Sequence, residues 1–173
     1  MALLVLAFPE ISKEDFNRIQ DFRSRNDRYY PVVNPHFTIV FPVEEVKEKE
    51  FIDHIKSRCS KFKKIDFTLN YAVTVKDSFS EFWDIFLVPD KGNSSIIKLH
   101  DELYKGPLIT HLRIDIPFIP HMGIGNDVDP FHCINLAAGL NEENISISGI
   151  ISTLSIVRYD GVKVELIEDI CLG

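Results

Sequence analysis

Two segments of the chain nearly repeat each other: Pro35-His36-Phe37-Thr38-Ile39 and Pro120-His121-Met122-Gly123-Ile124. Each places a histidine after a proline, a small residue two positions on, and an isoleucine after that. The surroundings of the first, Phe37-Thr38-Ile39-Val40-Phe41, are strand-like, and an apolar run over residues 114–119, broken by Asp115 and Pro117, leads into the second. In a strand, side chains alternate faces at about 3.3 Å per residue, so positions i and i+2 share a face roughly 6.6 Å apart. His36 and Thr38 are therefore expected on one face, with Phe37 and Ile39 turned into a core. The same reading puts His121 and Gly123 together, with Met122 and Ile124 behind them. Two strand-borne histidines, each beside a small or hydrogen-bonding position, can hold a phosphate between a general base and a general acid.

The elements around these segments repeat as well. Residues 3–8 read as a central strand. Ser12 then caps a helix, with Asp15 three residues on in a variant of the capping box, and the helical spacing continues to about Ser24. A loop over 25–35 carries Tyr29 and Tyr30. The first histidine strand, 36–41, is followed by a charged helix over 46–60 with Phe51, Ile52, Ile55 and Cys59 on one face. Residues 65–76 and 82–88 form a hairpin turning at Asp77-Ser78-Phe79-Ser80. A helix over 93–104, capped by Asn93 or Ser94, stops at Lys105-Gly106-Pro107. Residues 117–125 hold the second motif, and Asp129-Pro130 opens a helix to about Asn141, with proline in its first turn. Strands over 145–158 and 162–169 close the chain as a hairpin around Asp160-Gly161. Each half thus supplies a histidine strand, a helix and a hairpin. This weak duplication predicts one two-lobed, pseudo-symmetric α+β domain over residues 1–173.

Charge and cysteine content narrow the partners. The formal charge of −7 argues against tracking duplex nucleic acid, which needs clustered Lys and Arg, but leaves room for a nucleotide or an RNA end. The one cationic stretch, 56–64, reads first as a solvated helix end and connector. Cys59, Cys133 and Cys171 show no C-x-x-C spacing, which suits free, buried thiols in a reducing compartment. The apolar N-terminal run is short and lacks a positive flank, and no run reaches the roughly 18 apolar residues of a membrane span. A cytoplasmic monomer without membrane contact is expected. His54, His100, His111 and His132 stand outside the motif and are expected to be structural. No third and fourth ligand accompany His111 and His121, so neither a metal nor another cofactor is expected.

The chain resembles the two-histidine (2H) phosphoesterase superfamily, which includes the 2'-5' RNA ligase-like proteins and cyclic phosphodiesterases. The resemblance rests on His36-Phe37-Thr38-Ile39 and His121-Met122-Gly123-Ile124 as two copies of an H-x-[Thr/Ser]-x motif, with Pro35 and Pro120 before them and a fitting order of elements. It implies two lobes related by a pseudo-twofold axis, antiparallel sheets lining a central cleft, and helices packed outside. It also implies metal-independent chemistry on 2',3'-cyclic phosphates or 2'-5' linkages of nucleotides or RNA ends, with His36 and His121 as acid and base and Thr38 as a phosphate ligand. Gly123 departs from the pattern, since the family has Thr or Ser there. Its backbone N–H could serve the phosphate instead, or the residue marks an altered substrate or a weakened lobe.

Histidine suits the task because its ordinary pKa of about 6.5 lets one copy be neutral and the other protonated near pH 7. Tyr30, beside Tyr29, is a candidate for stacking on a base, and otherwise packs the loop. Arg158 and Arg113 are the candidate cations near the phosphate, and otherwise surface residues. A catalytically weakened module that binds a nucleotide or RNA end in the same cleft is the alternative to an enzyme. A purely structural domain is the third reading.

Overall fold

The computed structural model describes residues 1–173. In chain order its elements are β1 (Ala2–Ala7), β2 (Glu10–Ile11), α1 (Lys13–Asn26), β3 (Phe37–Val43), α2 (Glu48–Cys59), β4 (Ile65–Lys76), β5 (Trp83–Lys91), α3 (Asn93–Leu103), a short 3-10 helix (Gly106–His111), β6 (Met122–Asp127), α4 (Pro130–Glu142), β7 (Ile147–Ile151), β8 (Thr153–Tyr159) and β9 (Val164–Cys171). All nine strands belong to one sheet, ordered β2-β7-β4-β5-β6-β3-β1-β8-β9, and every pairing is antiparallel. The sheet curls into a half-barrel with the helices outside.

Local chemistry sets most element ends. The Ser12 hydroxyl accepts from the Asp15 N–H at 3.0 Å and donates to its carboxylate at 2.7 Å, which caps the start of α1. The Asp129 side chain accepts from the Phe131 N–H at 2.9 Å, with Pro130 in the first turn of α4. Between β8 and β9, the Asp160 carboxylate accepts from the N–H groups of Val162 and Lys163, and Gly161 takes φ +98°. The start of α3 departs from expectation. Gly92, at φ +87°, occupies the cap position, because a Cβ there would lie 2.5 Å from the Asp66 carbonyl oxygen.

The main core lies on the helix side and includes residues from both halves of the sheet, so the halves share one interior. Strand β1 is buried on both faces. Leu3, Val5 and Ala7 enter that core, while Ala2, Leu4 and Leu6 pack with Val157 on the concave face. This explains an uninterrupted apolar strand where a half-exposed one would alternate.

The expected strand over 145–158 is two strands. The chain breaks at Ser152: β7 pairs with β4 and β2, whereas β8 pairs with β1 and β9 at the other end of the sheet. The Ser152 carbonyl accepts from the Leu172 N–H at 2.8 Å, and its hydroxyl donates to Glu10. Strand β2, unforeseen in the sequence, makes the matching crossing near the N-terminus. The hairpin that follows the first motif flanks the second motif's strand, and the closing hairpin joins the first motif's half. The two repeats are interleaved.

Glycine is required where β2 meets β7. A Cβ on Gly149 would stand 2.6 Å from the Glu10 carbonyl oxygen and 2.7 Å from Cζ of Phe67. Gly149→Ala is expected to lower stability by roughly 1–3 kcal/mol, read as a fall in the urea midpoint. An unchanged midpoint would contradict this packing.

Candidate active site

Strands β3 and β6 meet at the middle of the sheet through one bridge pair, Phe37 opposite Met122. Both side chains are buried on the helix side. In an antiparallel ladder the residues flanking such a pair cross over, which sets His36 across from Gly123 and Thr38 across from His121. All four therefore belong to the concave face. The two histidines are diagonal neighbours, about 7–8 Å apart at the backbone in a regular ladder.

Each histidine lies just outside its strand and is anchored in the same way. Nδ1 of His36 donates to the Asn34 carbonyl at 2.8 Å, and Nδ1 of His121 donates to the Ile119 carbonyl at 2.6 Å. A carbonyl can only accept, so Nδ1 carries the proton and Nε2 keeps its lone pair while the ring is neutral. Both bonds reach back across a buried proline. Its fixed φ, and the extended preference it imposes on the residue before it, hold that carbonyl under the ring. This gives the repeated Pro-His pair a structural reason. The His121 ring stacks on Phe86 at 3.6 Å and 14°, and His36 packs at 5.9 Å against Phe8.

These surroundings disfavour the charged rings. Burial lowers the pKa of His36 against the pull of the Asn34 carbonyl, the Arg23 charge lowers it further, and Asp27 opposes. His121 is pushed down to about 4, first by burial; the Ile119 hydrogen bond opposes, and a charge on His36 adds to the depression. The sequence suggested one neutral and one protonated ring near pH 7. With both values lowered, the unliganded site at pH 7 holds two neutral rings.

Behind His36 lies a buried ion pair that the sequence reading missed. Nε of Arg23 meets Asp27 at 2.7 Å, with the two side chains only 1% and 4% exposed. Arg23 also donates to the Val33 carbonyl at 2.8 Å, which fixes the loop before the first motif. The Asp27 carboxylate accepts from the Tyr29 N–H at 2.8 Å and from Nδ2 of Asn126 at 3.0 Å. Asn126 is on β6, so one carboxylate ties the first motif's loop to the second motif's strand. The only available sequence signal was an Arg and an Asp at i,i+4 spanning a helix end.

Other candidates fall elsewhere. Arg158 is not with the histidines. It stands opposite Leu3, a helix-side residue, and its guanidinium is occupied by Glu48 and Glu165. Arg113 is paired with Asp115 at 2.6 Å and lies over Phe79. Tyr30 is exposed on the loop between α1 and β3, and its N–H donates to the Asp27 carbonyl. Gly123 is open, and a Cβ there would meet nothing within 4 Å. His100 donates to the Ile39 carbonyl at 2.8 Å and stacks on Phe118, a packing role. Cys59 and Cys133 are buried, but Cys171 is exposed on β9 rather than in the core. Three of the five cations of the 56–64 stretch are ion-paired, Arg58 and Lys61 sharing Glu102 and Lys56 meeting Glu168. No three carboxylate, thiol or imidazole groups come together as a metal cage.

Two further charged residues were not anticipated. Asp84 shares a β5 face with Phe86, and burial raises its pKa to about 6, with Asp77 adding to the shift and Arg28 opposing it. The Arg28 guanidinium lies 3.8 Å over the Phe82 ring and 3.7 Å from Asp77.

A curled antiparallel sheet with helices packed outside is the architecture of the two-histidine phosphoesterases. Residues 9–163 match the model of the 2'-5' RNA ligase superfamily, and the chain belongs to that family. It is 27% identical over 135 residues to a provisionally named phosphoesterase of Geobacillus sp. (strain WCH70), covering 74% of each chain. A second such protein, from Geobacillus kaustophilus (strain HTA426), is 29% identical over 118 residues and 64% of each chain. Among solved structures, TT0787 of Thermus thermophilus superposes with a TM-score of 0.63 at 14% identity, covering 99% of this chain and 98% of that one. Escherichia coli LigT complexed with NADP+ gives 0.59 at 15%, covering 99% and 97%. At such identities the likeness is one of fold. No helix here is long and apolar enough to cross a membrane.

Arg23→Met removes the partner of a buried carboxylate. It is expected to cost roughly 3–5 kcal/mol, measured by denaturant unfolding. A loss below about 1 kcal/mol, as for an exposed pair, would contradict the role given to Arg23–Asp27.

Proposed function

We propose that the protein is a metal-independent phosphoesterase that opens a 2',3'-cyclic phosphate or a 2'-5' phosphodiester of a nucleotide or RNA end. The observation that carries this reading is the matched anchoring of His36 and His121, which leaves two Nε2 atoms on one face of adjacent strands. Relatives named as phosphoesterases support it, as does the crystallisation of LigT with 3'-AMP and with NADP+.

In the proposed reaction one neutral Nε2 takes a proton from water as its oxygen attacks phosphorus in line. The P–O bond to the leaving ribose oxygen breaks, and the other histidine, protonated on Nε2, gives that oxygen its proton. The Thr38 hydroxyl donates to a non-bridging oxygen. An anionic phosphate beside the rings raises the pKa of the one that serves as acid. Reversal of the reaction exchanges the two roles.

A second reading is favoured by one observation, the bare position at Gly123. Removing a preorganised donor to a developing anion typically costs ~10²–10³ in rate, which would leave a binding module for nucleotides or RNA ends. The open space over Gly123 separates the two readings. Gly123→Thr should fold normally, and it should raise turnover by up to ~10² if the missing hydroxyl is what limits the rate.

Turnover of 2',3'-cyclic mononucleotides and a 2'-5'-linked dinucleotide in EDTA tests the enzyme reading. His36→Ala and His121→Ala should each lower kcat/KM by ~10²–10⁴. Because kcat/KM reports the free enzyme, and its productive form carries one proton on a pair of depressed rings, the rate should rise as pH falls from 7. It should peak below about 6.5. Activity lost in EDTA, or untouched by either mutation, would sink the mechanism, and an optimum at or above about pH 7.5 would contradict the depressed pKa values.

A further inference from the structure

We infer that the concave face carries a guanine subsite beside His36, which deepens the proposed function and rests on its placing of the phosphate at His36 and Thr38. A pocket of about 290 Å³ opens there, between the loop preceding β3, Phe8 just beyond β1, and strands β8 and β9. Phe8, Val33 and Val157 supply apolar walls, and Asn34, Ser155 and Asp169 the polar groups. The pocket and the histidine share structure: Phe8 packs against the His36 ring, and the Asn34 carbonyl is its anchor. The Arg23 bond to the Val33 carbonyl holds the loop wall in place.

The register ties the pocket to the phosphate position. Thr38 stands opposite Leu6, Leu6 opposite Ser155, and Ser155 opposite Asp169, one row across β3, β1, β8 and β9 on a single face. Three strand spacings put Asp169 about 14 Å from Thr38 at the backbone. On a curled sheet that gap is bridged by one nucleoside and the hydrogen bonds at its two ends. The Ser155 hydroxyl donates to Oδ1 of Asp169 at 2.6 Å and so orients the carboxylate. A carboxylate only accepts, and guanine is the common base with two adjacent N–H donors, N1–H and N2–H, that meet it bidentately. Adenine, cytosine and uracil each present an acceptor at the matching edge, which the carboxylate repels.

The test is calorimetric binding of guanosine 2'-monophosphate and adenosine 2'-monophosphate to the whole chain, with inorganic phosphate as competitor. The guanine nucleotide should bind about tenfold more tightly, the discrimination that one bidentate pair supplies. Asp169→Asn should erase that preference, weakening the guanine nucleotide and, because the amide no longer repels the adenine edge, leaving the adenine nucleotide bound as tightly as before or more tightly. Ser155→Ala, which keeps the carboxylate but frees its orientation, should reduce it. Equal affinities, a preference that survives Asp169→Asn, or no binding by folded protein would overturn the subsite. A guanine preference that depends on Asp169 but meets no competition from phosphate would uphold the subsite and count against the phosphoesterase reading. Competition without a base preference would do the reverse.

Discussion

One bridge pair, Phe37 with Met122, is the only strand pairing between two half-sheets that share the core beneath them. That single contact fixes the register of the two strands. Register is what matters chemically, because a slip of one residue in either strand would turn its histidine toward the helices and separate the pair. The seam is reinforced from the buried side. The Phe37 ring meets Phe67 edge-on at 5.0 Å, and Asp27 bonds across to Asn126 on β6. The crossings β1–β2 and β7–β8 lace each half into the other, so opening the seam means unthreading the sheet.

The polar groups near the histidines share one logic. Arg23 and Asp27 lie out of water, paired with each other and bonded to the carbonyl and N–H groups around them. Their opposite signs oppose each other at His36, where desolvation is the largest effect. His121, flat against Phe86, is more strongly depressed. A pair of neutral rings beside hydrogen-bond donors is poised for an anion, since the negative charge brings the proton that one ring requires.

Where residues act locally, the sequence was legible. Ser12, Asp129-Pro130 and Asp160-Gly161 mark element ends through bonds to their own near neighbours, and those ends stand within a residue or two of expectation. The Pro-His pairs were legible for the same reason, because proline and the carbonyl behind it act within three residues. What depended on distant partners was hidden. Nothing in the apolar run over 145–158 reveals that Ser152 divides it between opposite ends of the sheet. Arg158 reads as a free cation until Glu48, far away in the chain, is brought beside it. Arg23 is one residue of the first helix's periodic run until the loop before β3 folds over it. Phe86 is one apolar residue among many in β5 until the register sets it opposite Gly123 and against His121.

The central claim is that His36 and His121 form one site with Nε2 of both rings available to a shared anion. Its most direct test is nitrogen-15 NMR of the histidine side chains through a pH titration, with and without inorganic phosphate. Both rings should hold the proton on Nδ1 at pH 7, titrate below about 6.5, and shift together when phosphate is added. Rings protonated on Nε2 at neutral pH, or a phosphate response confined to one of them, would contradict the account.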